Sequence, residues 1–67
     1  MNHFMQPVRP LRIVRRLKDD THVTLHVFAV RVVNDDVEYL TIDGFFYDKK
    51  LVAFAESYID GEWVHVQ

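Results

Sequence analysis

Cysteine is absent from the chain. That excludes disulfides, cysteine-ligated metal and thiol catalysis, and it fits a reducing cytoplasm. Glycine is scarce, with two residues in all, so there is no glycine-rich loop to cradle a phosphate. Serine occurs once, as Ser57, with no neighbouring base to activate it as a nucleophile. No apolar run approaches the roughly 20 residues that span a bilayer. The first ten residues hold polar and proline breaks where a signal peptide needs an apolar core. We therefore expect a cytoplasmic protein with no membrane partner.

The composition is that of a globular protein. Of the 67 residues, 49% are hydrophobic and 27% charged, too apolar for a disordered chain. One domain is the expected count. Domains of about 60 residues bury only roughly 60% of their unfolded surface, and many lean on disulfides, metal or oligomerisation. With disulfides excluded, self-association or a protein partner is expected.

The net charge of −2 hides a strong asymmetry. Arg9, Arg12, Arg15, Arg16 and Lys18 place five positive charges before residue 19, whereas ten acids face only Arg31, Lys49 and Lys50 afterwards. The stretch "VRPLRIVRRLKDD" carries the change of sign.

Residues 1–10 read as an N-terminal arm, because Pro7 and Pro10 remove backbone donors and favour extended chain before them. Residues 11–67 read as one compact domain. Strand alternation fits 11–17, and residues 22–33 are long and rich in β-branched side chains. "NDD" (34–36) fits a three-residue hairpin loop, followed by a return strand over 37–42. "DG" (43–44) offers a turn or bulge before "FFY" (45–47). The period changes in "DKKLVAFAESYIDG". As a helix over about 49–59, it gathers Leu51, Val52, Phe54, Ala55, Tyr58 and Ile59 within a ~160° arc. Asp48 suits its N-cap and Gly61 its C′ position. A last strand follows over 62–66. The expected fold is a small α+β domain of order β-β-β-α-β, an antiparallel sheet with one helix on one face.

Placing Val33 opposite Val37 and Leu17 opposite His22 sorts the side chains. Arg12, Arg16 and Arg31 then share a face with Tyr39, Phe45 and Tyr47. The other face collects Leu11, Ile13, Phe28, Val30, Leu40, Ile42 and Phe46, where the helix would pack. Arginine and tyrosine over an apolar base is the mixture enriched at interfaces. The six residues Arg12, Arg16, Arg31, Tyr39, Phe45 and Tyr47 are the candidate partner-binding face.

Other chemistry is thin. His22 and His26 would lie about 13 Å apart on a strand and cannot share a metal ion. The paired acids Asp19–Asp20 and Asp35–Asp36 read as turn formers. We expect no enzyme, no cofactor and no small-molecule substrate. The expected role is a protein-binding module, either a homodimer or an inhibitor or adaptor of a larger cytoplasmic complex. In size and charge alone it is similar in kind to phage- or plasmid-encoded inhibitors such as anti-CRISPR and anti-restriction proteins. Asp35, Asp36, Glu38, Asp43, Asp60 and Glu62 would then form an acidic surface for a basic groove. The alternative is a single-stranded nucleic-acid binder using the arginine and aromatic face. Ten acids on the chain weigh against that reading.

Overall fold

The computed structural model describes residues 3–66. The protein is all-β: a seven-stranded antiparallel sheet with no α-helix among the described residues. Its strands are β1 (His3–Met5), β2 (Leu11–Arg16), β3 (His22–Val33), β4 (Asp36–Thr41), β5 (Phe46–Asp48), β6 (Phe54–Ile59) and β7 (Glu62–His65). The order across the sheet is β5-β4-β3-β2-β6-β7, with β1 paired to β3. This corrects the α+β expectation. Where a helix was expected over 49–59, there is one 3-10 turn, Lys49–Leu51, and then β6.

The helix fails for a local reason. Asp60 and Gly61 both take positive φ (51° and 85°). That pair forms a two-residue hairpin turn, whose twist matches the flanking strands. Gly61 is thus a turn residue between β6 and β7, not a helix stop. Asp48 does cap, but it caps the 3-10 turn, accepting from the Lys50 amide at 2.8 Å. Glu56 sits on the same strand face as Phe54 and Tyr58, a charge in an otherwise aromatic row. It is accommodated because Arg12 lies directly opposite it on β2.

The hairpin loops set the register. Asn34 and Asp35 both have positive φ (49° and 67°), and Val33 pairs with Asp36. The loop therefore has two residues, not three. Asn and Asp tolerate this left-handed region better than other non-glycine residues. Between β2 and β3, the Asp20 amide bonds the Leu17 carbonyl and the Leu17 amide bonds the Thr21 carbonyl, with Asp20 at φ 66°. The β4–β5 loop repeats that design with Gly44 at φ 85°. Each assumed pairing beside β3 was thus off by one residue, and one residue of slip exchanges the faces.

The arm is part of the sheet. Residues 3–5 pair with Val30–Val32, on the same edge of β3 that β2 occupies further along. Residues 1 and 2 lie outside the described residues. Pro7 and Pro10 stand in the gap between β1 and β2, where they cannot donate to a ladder. The partner strand is irregular at that level too, with a β-bulge between Val27 and Ala29. The bulge turns both Phe28 and Ala29 to one side, so side chains before and after it keep a common face only with changed parity.

One face of the sheet forms the core. Ile13, Val27, Tyr39 and Ala55 are buried together, with Leu11, Leu25, Val30, Val37, Tyr47 and Val52 packed around them. Tyr39 on β4 and Ala55 on β6 are three strand spacings apart, about 14 Å in a flat sheet. Their presence in one cluster means that the sheet coils around its inner face. Residues 49–53 bridge the open side, and the Ala53 amide bonds the Val14 carbonyl at 2.8 Å. This strap brings β6 back to β2, where Ile13 opposes Ala55.

Candidate functional site

The outer face of the coil carries the unusual chemistry. Alternation places Arg12, Val14 and Arg16 of β2 there, with Phe54, Glu56 and Tyr58 of β6 beside them. Trp63 and His65 of β7 continue the rows, opposite Tyr58 and Glu56. On the other half of the face lie Phe4, Arg31, Glu38, Leu40 and Phe46.

Two arginines on this face share one arrangement. Arg12 Nε donates to Glu56 Oε1 at 2.8 Å, and its guanidinium carbon lies 3.9 Å from the Trp63 ring centre. Arg31 forks onto Glu38, with Nε 2.8 Å from Oε1 and Nη2 on the same oxygen. Its guanidinium lies 3.7 Å from the Phe46 ring centre and 5.7 Å from that of Phe4. Each guanidinium is sandwiched between a carboxylate and an aromatic ring. A planar, weakly hydrated cation suits that position, and a cation–π contact of this kind is worth about 0.5–2 kcal/mol. The acids are well covered: Glu56 is 13% exposed and Glu38 25%. His65 stacks on Phe54 with centroids 4.5 Å apart, its Nε2 lies 3.6 Å from Glu56, and Tyr58 meets Trp63 edge-on.

From the Arg12 arrangement to the rings of the Arg31 arrangement the face is apolar and open. Phe28 is 50% exposed, Ile42 62%, Phe4 57% and Phe46 38%. Register makes them neighbours: Phe28 and Ala29 bulge opposite Leu40, Leu40 faces Phe46, and the Ile42 amide bonds the His26 carbonyl.

The six residues expected to share the binding face separate. Arg12, Arg16 and Arg31 lie on the outer face, and Arg16 is tied to Asp20 at 2.7 Å. Tyr39 is in the core, and Tyr47 opposes it on the inner face. Phe45 is exposed in the loop before β5. The aromatics that do accompany the arginines are Phe4, Phe46, Tyr58 and Trp63. They were missed because their strands were read as arm, helix or the wrong register. The Asp60–Gly61 turn was the signal that could have found Tyr58 and Trp63.

The acidic candidates do not form one surface. Glu38 is bound to Arg31, and Asp36 lies 3.3 Å from Lys50. Asp35 belongs to the β3–β4 turn, Asp60 to the β6–β7 turn, and Glu62 begins β7. A cleft of about 430 Å³ beside Asp35, Asp36 and Asp48 also holds Lys49 and Lys50, so its charges compensate. Among the described residues no group of three or more His, Cys, Asp or Glu converges as a metal site.

Asp43 instead organises its own loop. It accepts from the Thr41 hydroxyl, from the Phe45 amide at 3.2 Å and from the Tyr47 hydroxyl at 2.5 Å. The Thr41 hydroxyl, and then the Tyr47 hydroxyl, hold the carboxyl below the usual aspartate range; the same bond pushes the Tyr47 phenol above its ordinary value. A lowered folded-state pKa adds stability that is full above the unfolded pKa of about 3.9 and is lost as pH falls through the folded value. Asp43→Asn is therefore expected to lower Tm at neutral pH, with the gap to the parent closing below about pH 4. Thermal melts from about pH 7 to about pH 2.5 check this. A gap that stayed constant would show that the carboxylate charge is not what stabilises the loop.

On the inner face, the Arg15 guanidinium lies 4.4 Å from the Tyr47 ring centre, and its Nε is buried with no hydrogen-bond partner. Glu56 is not available to it, since that carboxylate serves Arg12.

Comparison of the chain with protein-family models, with curated proteins and with solved structures finds no match.

Proposed function

We propose that this chain is a non-catalytic protein-binding module that docks through the outer face of its sheet. The observation that carries the reading is the open apolar strip of Phe4, Phe28, Ile42 and Phe46, flanked by the Arg12–Glu56–Trp63 arrangement and ending in the two rings against which Arg31 lies. An exposed apolar patch rimmed by polar residues marks an interaction site, and arginine with aromatics is the composition of interface hot spots. The rim is already ordered. Arg12 and Arg31 are held by Glu56 and Glu38, so little side-chain entropy remains to be lost on docking.

The nucleic-acid reading draws less support from the same residues. A stacking platform for single strands needs uncompensated positive charge along the backbone path. Here Arg12, Arg16 and Arg31 each carry a carboxylate partner. The acidic-mimic reading is also weakened, because Glu38 and Asp43 are engaged within the chain.

Oxidative footprinting of the intact assembly, as isolated from its native cell, tests the proposal. Phe4, Phe28, Ile42 and Phe46 are expected to be protected relative to the dissociated chain. Protection confined to the turns at Asp35 and Asp60 would overturn it, as would retention of an oligonucleotide that protects Trp63 and Tyr58.

A further inference from the structure

Resting on that reading, we infer that the occupant of the outer face is a second copy of this chain, related by a two-fold axis. One observation favours a copy over an unlike partner, and two more concern the room the face offers it.

The first is charge. A two-fold interface sets one patch against itself, so any uncompensated charge meets its like. On this face Arg12 is paired with Glu56 and Arg31 with Glu38, and the two charges left over beside the strip, Arg9 near Phe28 and Asp48 near Phe46, are of opposite sign, so the strip carries no net charge. The strip can therefore meet its own image without repulsion. An unlike partner chosen by charge would require an imbalance, and the acids that could supply one sit instead at the turns, at Asp19, Asp35 and Asp60.

The second is surface. The chain exposes 4901 Å². A compact monomer of 8.0 kDa is expected to expose roughly 4,450 Å². The radius of gyration is 11.8 Å, against roughly 10.9 Å for a compact domain of this length. The open side chains of the strip contribute to that excess.

The third is area. The molecule measures 35 × 32 × 20 Å, a slab whose broad face exceeds the roughly 800 Å² that each partner of a standard interface contributes. Its four central apolar side chains leave on the order of 400 Å² open, counting large side chains at about 150–250 Å² each. Two such strips meeting across the two-fold axis would interdigitate their open side chains. The bulge at Phe28 serves this purpose, because it re-aims a side chain outward in mid-strand.

Sedimentation of the purified protein from about 1 μM to about 1 mM tests the inference. A species of twice the chain mass is expected. Footprinting along the same series should show Phe28 and Ile42 becoming protected as the dimer fills, a readout that needs no variant. Phe28→Glu and Ile42→Glu each place a charge on the strip and are expected to weaken the dimer about 30-fold or more, the scale of a hot-spot loss. Phe45→Glu alters an exposed aromatic outside the face and should leave it unchanged. A parent that stays monomeric throughout overturns self-pairing. If the native assembly still protects the strip in that case, the docking reading survives and only the identity of the occupant falls. A dimer that forms with Phe28 and Ile42 unprotected overturns both.

Discussion

Ile13→Ala is expected to remove most of the stability of this domain. Ile13 is fully buried, flanked by Leu25 on β3 and Ala55 on β6, in the cluster that joins the two halves of the coiled sheet. Truncating a buried isoleucine to alanine costs about 2–5 kcal/mol, the transfer of the lost carbons plus the cavity left behind. A 67-residue domain has roughly 3–10 kcal/mol in total. At roughly 4–8 °C per kcal/mol for a domain of this size, Tm should fall by about 10–30 °C. The site cannot collapse to relieve the cost, because backbone hydrogen bonds fix the strands on both sides of Ile13. Thermal and urea unfolding at one fixed protein concentration measure the effect. A loss below about 1 kcal/mol would mean that this cluster is not the seat of stability.

The second large effect is expected at Glu56. Its carboxylate holds Arg12 and lies beside His65 while only 13% exposed. Removing one member of a fully buried ion pair costs about 3–5 kcal/mol, because the other charge is left without a partner. Arg12 is 31% exposed and can recover some water, so Glu56→Ala should cost nearer about 2 kcal/mol. The double variant Arg12→Leu/Glu56→Leu leaves no orphaned charge and is expected to regain most of that loss. The cycle also has a local reporter. Trp63 is the only tryptophan, and its ring lies against the Arg12 guanidinium. Its emission should shift in Glu56→Ala even where the fold is intact. Equal losses in the single and double variants would show that the pair is incidental to the face.

Much of the strand content was legible because alternation and β-branching are local signals. The long strand 22–33 and its neighbours at 11–16 and 36–41 lie within a residue or so of where the sequence placed them. The final strand was legible too, at 62–65. What failed was carried by turns and by distant partners. Asn34–Asp35 is a two-residue turn only because both residues accept the left-handed region, and a second aspartate beside them, Asp36, disguised it. Glu56 looked wrong for a strand because its partner, Arg12, stands 44 positions away. The bulge at Phe28 leaves no mark that composition can show. Arg12, Arg16 and Arg31 nevertheless lie on one face. The slips on the two sides of β3 and the unforeseen bulge together preserve their common side while exchanging which aromatics they meet. Tyr39 thereby moves from candidate contact to core, and Trp63 takes a place beside Arg12.

The return of β6 to β2 has a consequence for the order in which the chain assembles. Four hairpins close over loops of two or three residues, and β6–β7 is one of them. The β2–β6 seam must instead draw together residues some 44 positions apart, as Arg12 and Glu56 are. Loop-closure entropy grows with the logarithm of that separation, so the seam is the most expensive pairing to form. It zips after the hairpins and is the natural first place to part. The Arg12–Glu56–Trp63 arrangement lies across this seam. Weakening it is therefore expected to change how fast the protein opens more than how fast it folds.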